Sequence, residues 1–251
     1  MEDGEFDSLE LQLRALMGDA MPVPEPPPQM IGEVVGGTYE ILRELGEGGM
    51  GQVFVARHTR TDGEVALKLI RPKHTAEDDF IERFELEAKN TAALNHPNIV
   101  KVLDYGVDDG LAYIAMELAA GHSVGELLDA RTALKPAEAI AICIHKLRAL
   151  NAAHDSGLVH LDIKPDNILV ERQGDSWFVK VLDLGIAYAL ETERVGPQSV
   201  IGSPHSMAPE QFQPEGRIGP RADLYALGCT AFAMLTGYPP FHGTFWELAV
   251  F

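Results

Sequence analysis

This 251-residue sequence has few cysteines, few basic residues and no long apolar run. Its two cysteines, Cys143 and Cys229, are too few for a disulfide framework or a cysteine-rich zinc site. Because both lie in apolar, helix-like sequence, we expect buried free thiols in a reducing compartment. The most apolar stretch, 225–235, is too short to span a bilayer, and the acidic N-terminus does not resemble a basic secretory signal. The sequence therefore predicts a cytoplasmic protein without a membrane segment.

The charge of the chain is strongly one-sided. Lys and Arg number 20 against 38 Asp and Glu, which gives a formal net charge of −18. Nonspecific nucleic-acid binding and docking on anionic lipid both need clustered Lys and Arg, so this balance argues against both. The hydrophobic fraction of 46% is enough for a sizeable core, and the length favours one large domain or two lobes that share a cleft.

Residues 1–37 differ from the rest of the chain. They hold eight acidic residues against one arginine, hence a charge of −7, and a proline-rich stretch at 22–28 that favours an extended polyproline conformation. We expect a mostly disordered tail. The alternative is a short helix that docks on a partner or on the protein's own domain, because several apolar residues fall on one helical face: Phe6, Leu9, Leu13, Leu16 and Met17.

From Thr38 onwards the pattern predicts strands first and helices afterwards. Strands are expected at 39–45, 53–57, 65–70, 100–105 and 111–117, with turns at Asp62-Gly63 and at 108–110. One helix, 76–94, follows the third strand, and its predicted apolar stripe is Ile81, Phe84, Ala88 and Ala92. Further helices are expected at 123–130, 136–154 and 222–236. The predicted fold class is α+β, with an antiparallel five-stranded first lobe, one main helix there and a mostly helical second lobe.

A glycine-rich motif lies between the first two of these strands. It reads Gly46-Glu47-Gly48-Gly49-Met50-Gly51 and is followed by Gln52-Val53. A strand follows the glycines, whereas a dinucleotide-binding fold needs a helix there, and no Gly-Lys-Ser/Thr closes a Walker A loop. A strand–glycine loop–strand unit can lie over a nucleotide and bring backbone N–H groups to its phosphates.

Four further motifs follow along the chain. Val65-Ala66-Leu67-Lys68 places a lysine on the third strand, and Glu87 lies on the helix after it, where the two side chains could pair. Downstream are the segments His160-Leu161-Asp162-Ile163-Lys164-Pro165-Asp166-Asn167, Asp183-Leu184-Gly185 and Ala208-Pro209-Glu210. Taken singly, each motif could be a surface ion pair, a helix cap or a turn. Their joint occurrence in this order makes an accidental origin improbable.

Together the motifs resemble the eukaryotic-like protein kinase family and, within it, the bacterial Hanks-type Ser/Thr kinases. The resemblance runs from about Thr38 to the last residue. It implies a bilobal protein-kinase-like fold, with the first lobe over about 38–117 and the second over about 118–251. It also implies an ATP- and Mg²⁺-dependent enzyme that phosphorylates serine and threonine hydroxyls of protein substrates.

The resemblance implies a role for each matching residue. Asp162 would orient the substrate hydroxyl and accept its proton, and Lys164 would offset charge on the transferring γ-phosphoryl. Lys68, held by Glu87, would contact the α- and β-phosphates, while Asn167 and Asp183 would hold Mg²⁺.

The remaining residues would bind the nucleotide. The glycines that would cover the phosphates are Gly46, Gly48, Gly49 and Gly51, and the residues that would surround adenine are Val53, Ala66, Leu169, Met116 as gatekeeper, and Glu117 and Ala119 of the hinge.

Other functions stay open at this point. A nucleotide-binding pseudokinase or scaffold fragment is the main alternative, although the charged residues named above are intact. A small-molecule kinase on a related fold is a second alternative, but Ala208-Pro209-Glu210 and the peptide-facing loop before it argue against this function.

The sequence departs from the family pattern at several positions. Leu161 replaces the usual arginine of His-Arg-Asp, which in many relatives pairs with a phosphate on the activation loop. Leu184 replaces phenylalanine, Ser203 stands where threonine is common, and Ser206 stands where tyrosine is common. We expect the Ser203 hydroxyl still to bridge Asp162 and Lys164.

The chain also ends earlier than the resemblance predicts. Asp223 is expected to brace the backbone near His160, but the helices that usually follow, with an arginine partner for Glu210, are not in the sequence. The chain is therefore either a fragment of a longer protein or a naturally minimal kinase, and we expect the fragment. Its second lobe would expose apolar residues that a partner or a missing C-terminal region would cover: Phe232, Phe241, Phe245 and Trp246.

The leucine at position 161 generates a testable prediction. Because the cation that would receive an activation-loop phosphate is missing, the double variant Thr192→Ala, Ser199→Ala should retain most of the in vitro phosphoryl-transfer activity. A large loss of activity in this variant would contradict the prediction.

Overall fold

A computed structural model describes residues 30–48, 51–70, 80–174, 176–184, 203–212, 218–243 and 245–248. The chain divides into two units, Met1–Met30 and Ile31–Phe251. Only Met30 of the first unit is described, so the predicted helix and proline-rich stretch of the tail lie outside the described residues. Thr192 and Ser199 lie outside them as well.

The first lobe is built on a six-stranded antiparallel sheet with the order β1-β2-β3-β4-β6-β5. Its strands are β1 (Val34–Val35), β2 (Tyr39–Gly48), β3 (Gly51–His58), β4 (Glu64–Ile70), β5 (Val102–Asp108) and β6 (Leu111–Glu117). The five predicted strands are confirmed, with ends that differ by a few residues. The two predicted turns are also confirmed, because each contains residues with the positive φ that a tight turn requires. Asp62 has a φ of 57°, and Asp109 and Gly110 have φ values of 48° and 78°.

The sixth strand, β1, was missed because it falls in the predicted tail. Val34 and Val35 pair with Glu40 and Tyr39 across a turn in which Gly36 and Gly37 have φ values of 59° and 61°. Two consecutive glycines between β-forming residues are a hairpin signal that the sequence does contain. The division of the chain at residue 30 thus differs from the tail boundary predicted at residue 37.

Helix α1 (Phe80–Ala93) covers one face of this sheet. Phe80 and Phe84 are fully buried in a cluster with Ile70, Ile114 and Met116. The predicted stripe was wrong at Ile81, whose side chain is 40% exposed. Phe80, one residue before Ile81, is buried against the sheet in its place. The buried face of α1 is therefore rotated relative to the predicted stripe and consists of Phe80, Phe84, Ala88 and Thr91.

The second lobe is mostly helical, as predicted. Its helices are α2 (Val124–Arg131), α3 (Pro136–Asp155), α4 (Pro220–Thr236) and α5 (Phe245–Leu248). A small antiparallel sheet accompanies them, formed by β7 (His122–Ser123), β8 (Ile168–Gln173) and β9 (Ser176–Val181). No helix within the described ranges is long and apolar enough to cross a membrane.

The surface of the second lobe carries exposed apolar side chains on and after α4. Phe232 is 46% and Phe241 45% exposed, as the sequence predicts. The side chains of Phe245 and Trp246 lie outside the described part. Cys229 is buried and Cys143 half-buried, and both are free thiols.

The packing of α1 predicts different costs for two positions on the same helix. Phe84→Ala should lower the free energy of unfolding by about 3–5 kcal/mol, because it opens a cavity beneath the sheet. Leu86→Ala, the matched control, removes a side chain that is 58% exposed and should change stability by no more than about 0.5 kcal/mol. Urea unfolding of both variants measures the difference, and equal effects would contradict this packing.

Candidate active site

Strand β4 places Lys68 beside the residues predicted to surround a nucleotide. The pairing registers join Val53 with Lys68 and Ala66 with Met116, so these four side chains share one face of the sheet. Val53 and Ala66 are half-buried, and Met116 is buried in the cluster under α1.

The ammonium of Lys68 pairs with Asp183 rather than with Glu87. Lys68 Nζ lies 2.8 Å from Asp183 Oδ1, and its side chain is 5% exposed. The expected ion pair with Glu87 is not formed among the described residues. Glu87 is half-buried on α1, and burial raises the pKa of its carboxyl. The structure thus brings Lys68 and Asp183 together and leaves Glu87 apart.

The described glycines of the motif lie at the facing ends of β2 and β3. Gly46 is the strand partner of Val53, and Gly48 of Gly51. A Cβ at Gly51 would stand 1.9 Å from the carbonyl oxygen of Leu69 on β4, so the close approach of the strands requires glycine there. Gly49 and Met50 lie outside the described residues.

The predicted proton acceptor, Asp162, has three polar side chains around its carboxylate. Asn167 Nδ2 donates to Oδ2 at 2.8 Å, Lys164 Nζ lies 3.2 Å from the same oxygen, and Ser203 Oγ donates to Oδ1 at 3.3 Å. Of the bridge predicted for Ser203, the half to Asp162 is present, while Lys164 contacts Asp162 directly. The carboxylate is thereby oriented from two sides, and its side chain remains 13% exposed.

The buried carboxylate of Asp223 fixes the backbone of this loop. Its oxygens accept hydrogen bonds from the backbone N–H groups of His160 and Leu161, both at 2.9 Å, and His154 Nε2 lies 2.7 Å from Oδ2. The predicted brace is confirmed. Leu161 itself is buried and has a φ of 63°, an unfavourable conformation for leucine that the two hydrogen bonds help to hold.

Asn167 and Asp183, the predicted metal ligands, belong to adjoining segments. The backbone N–H of Leu182 donates to the carbonyl of Asn167 at 3.1 Å, which places the residue before Asp183 against the loop of Asp162. An amide oxygen and a carboxylate are hard donors that suit Mg²⁺. In the described part of the chain, no group of three or more His, Cys, Asp or Glu side chains is arranged to hold a metal ion.

The segment predicted as a hinge connects the two lobes through Glu117. Its backbone N–H donates to the carbonyl of Lys101 at 2.9 Å, and its carboxylate accepts from the backbone N–H of Lys101 at 2.8 Å and pairs with Lys180 Nζ. Lys180 is the strand partner of Leu169. Sequence reasoning missed Lys180, because only the pairing of β8 with β9 brings it to the hinge. Ala119 and Leu169, two further residues that the sequence predicts to contact the nucleotide, are both half-buried.

Sequence reasoning also missed Lys146, which is fully buried in the second lobe. A signal for it existed. Lys146 follows Ile142 by four residues and precedes Leu150 by four, so it falls on the apolar face of α3.

The position of Asp223 generates a prediction about stability. In Asp223→Asn, one of the two backbone N–H donors would face an amide nitrogen, so we expect a loss of about 1–3 kcal/mol in the free energy of unfolding. Asp129→Asn, at an exposed position on α2, is the matched control and should have little effect. Urea unfolding compares the two, and an undiminished stability of Asp223→Asn would contradict the described role.

Comparison with known proteins identifies the family of this chain. The family model described as protein kinase domain matches residues 39–247. The chain is 41% identical over 215 residues to the serine/threonine-protein kinase PrkC of Bacillus subtilis (strain 168), covering 85% of this chain and 33% of that protein. It is 39% identical over 220 residues to the serine/threonine-protein kinase pkn3 of Myxococcus xanthus, covering 85% of this chain and 40% of the relative.

Solved structures give the same result. The crystal structure of the Mycobacterium tuberculosis PknI kinase domain superposes with a TM-score of 0.69 at 33% identity, covering 84% of this chain and 79% of that domain. The chain spans about a third of the length of the curated relatives that it matches. The family match, the fold and the order of the motifs show that this chain belongs to the protein kinase domain family. Its similarity to the named relatives places it among the bacterial Hanks-type Ser/Thr kinases.

Proposed function

We propose that this chain carries the catalytic domain of an ATP-dependent protein serine/threonine kinase. The observation that carries the proposal is the Asp162 carboxylate, which is oriented by Asn167 and Ser203 and charge-balanced by Lys164. A general base must lie within hydrogen-bond reach of the proton that it accepts and must be held in one orientation. Asp162 meets the second requirement and remains partly open to the cleft.

The proposed reaction transfers the γ-phosphoryl of ATP to a substrate hydroxyl. The hydroxyl oxygen forms a bond to the γ-phosphorus, the bond from that phosphorus to the β–γ bridging oxygen breaks, and the hydroxyl proton passes to Asp162. Lys164 offsets negative charge on the transferring group, and Lys68 binds phosphate oxygens. Phosphoryl transfer needs little covalent participation by protein groups, so orientation and charge neutralisation supply most of the rate.

The proposed metal ligands are Asn167 and Asp183, whose oxygen donors fit Mg²⁺. A Mg²⁺ ion held by these two residues would supply positive charge that neutralises the phosphate oxygens. Lys68 now pairs with Asp183. If Asp183 holds the metal, Glu87 would be the carboxylate left to pair with Lys68, which is the role that the sequence predicts.

The nucleotide is proposed to lie against the face that holds Val53, Ala66 and Met116. The glycine turn would cover its phosphates, with Gly51 giving the close approach of the strands that such a turn needs. Leu169 from β8 would close the adenine site from the second lobe. Glu117 and Ala119 would offer their backbone groups to the base. Protein substrates and a cytoplasmic location remain part of this proposal.

A direct test uses the purified chain with γ-labelled ATP, Mg²⁺ and a generic basic protein. Asp162→Asn should lower label transfer by about 100-fold or more, because it removes the proton acceptor while keeping the side chain's size. Lys68→Met should lower it comparably through loss of the phosphate contact. Lys89→Met, an exposed position on α1, is the control and should transfer label like the wild type.

The outcomes separate the proposed enzyme from its rival. A folded chain that binds ATP and transfers no label would identify a pseudokinase or scaffold. Equal transfer by the wild type and by Asp162→Asn would contradict the role of Asp162.

A further inference from the structure

Thr91 is the one polar residue on the buried face of α1 as the structure describes it. The other buried side chains of this face are apolar, namely Phe80, Phe84 and Ala88. Thr91 is 3% exposed, and its Oγ1 donates to the backbone carbonyl of Leu184 at 3.3 Å, 93 residues further along the chain. A buried hydroxyl needs a hydrogen-bond partner, and here the partner belongs to the segment that follows β9.

The other two threonines in the described helices bond within their own helix. On α4, Thr230 Oγ1 donates to the carbonyl of Ala226 at 2.9 Å. Thr236 Oγ1, at the end of the same helix, donates to the carbonyl of Phe232 at 2.9 Å. This bond to the residue four positions earlier is a common one for a threonine inside a helix. The hydroxyl of Thr91 instead donates out of its helix and joins α1 to a distant segment.

The carbonyl that accepts this bond adjoins the candidate active site. Within the described residues, the hydroxyl of Thr91 is the only hydrogen-bond donor to the Leu184 carbonyl. The side chain of Leu184 is 2% exposed and packs in one cluster with Leu94, the residue after α1, and with Ala149 of α3. A carbonyl enclosed in this way is costly to leave unpaired, so the hydroxyl helps to fix the position of its segment.

The residue before Leu184 is Asp183, the proposed metal ligand. Asp183 has a φ of 55°, a left-handed conformation that the surrounding contacts must hold. Its carboxylate lies 2.8 Å from Lys68 Nζ. The hydrogen bond from Thr91 therefore acts one residue away from the carboxylate that pairs with the buried ammonium.

Glu87 lies on the same side of α1 as Thr91. It precedes Thr91 by four residues, about one helical turn. The contacts of α1 with the sheet through Phe80 and Phe84 are apolar and so have no preferred direction. A hydrogen bond does have a preferred direction and length, so the Thr91 hydroxyl determines where this turn of α1 lies against the segment of Asp183.

We propose that Thr91 is a positioning residue for phosphoryl transfer, whose hydroxyl ties α1 to the Asp183–Leu184 segment. The bond fixes the carboxylates of Asp183 and Glu87 relative to Lys68. This inference rests on the proposed kinase function. Thr91 is enclosed between α1 and Leu184, so it acts through Asp183 and not by contact with the substrate.

The experiment compares two substitutions of Thr91 in the purified chain. Thr91→Val replaces the hydroxyl by a methyl group at nearly constant volume, and Thr91→Ser keeps the hydroxyl. Thr230→Val is the matched control, because Thr230 is 1% exposed and loses the same group on α4. We expect Thr91→Val to lower kcat about fivefold, whereas Thr91→Ser and Thr230→Val should keep kcat within about twofold of the wild type.

A second readout does not depend on activity. Acetylation of the chain with N-hydroxysuccinimide acetate, followed by mass spectrometry, measures how fast each lysine reacts. Lys68 is 5% exposed and paired with Asp183, so it should react slowly in the wild type, and the exposed Lys89 supplies a reference rate. Thr91→Val should raise the ratio of the Lys68 rate to the Lys89 rate about fivefold, because it loosens the segment of Asp183. Thr230→Val and Thr91→Ser should leave this ratio unchanged.

Two results would overturn the proposal. One is a folded Thr91→Val variant with the kcat and the Lys68 ratio of the wild type. The other is an equal loss of kcat in Thr91→Val and Thr230→Val, since a loss that does not depend on position reflects stability alone. A wild type that transfers no label, together with a raised Lys68 ratio in Thr91→Val, would reject the proposed kinase function and support the link between α1 and Asp183.

A further pair of variants decides the matter where Thr91→Val does not fold. Thr91→Ala and Thr91→Ser both lack the methyl group of threonine and differ in the hydroxyl. We expect Thr91→Ala to have the lower kcat and the higher Lys68 ratio of the two. Equal values of both quantities in this pair would contradict a positioning role for the hydroxyl.

Discussion

The buried carboxylate of Asp223 is the constraint on which the candidate active site depends. It lies on α4, yet its two oxygens hold backbone N–H groups of His160 and Leu161, sixty-three and sixty-two residues away in sequence. A charge at 0% exposure is tolerated only because these donors and His154 satisfy it. The position of Asp162 follows from this anchor, since Asp162 is the next residue of the same loop.

The first lobe contributes a second buried charge, the ammonium of Lys68, which contacts the second lobe. Lys68 is buried on β4 and pairs with Asp183, which follows β9 of the second lobe. The lobes are joined again where the backbone of Val100 and Asn98 bonds Val181, and where Glu117 pairs with Lys180. An ion pair that spans the cleft links the proposed metal ligand to the proposed phosphate ligand, so the two cannot be positioned independently.

Sequence reasoning was most successful where a local pattern carries the information. Strands, turns and helices of both lobes were predicted because alternation, β-branching and Asp-Gly turns act over a few residues. Errors arose where two adjacent residues fit the same sequence pattern equally well. Ile81 fits an apolar stripe as well as Phe80 does, and only the sheet beneath α1 selects between them. Likewise, the glycine pair after Val35 forms a hairpin in a segment whose composition indicated a tail.

The sequence by itself determined the family, the order of the motifs and the identity of the charged groups, because each motif is contiguous and its residue types are required by its chemistry. Only the tertiary structure decided which charges meet. It paired Lys68 with Asp183 instead of Glu87, brought Lys180 to the hinge and enclosed Lys146 within the second lobe. Electrostatic interactions depend on distance and burial, which the fold sets across segments that are far apart in the chain.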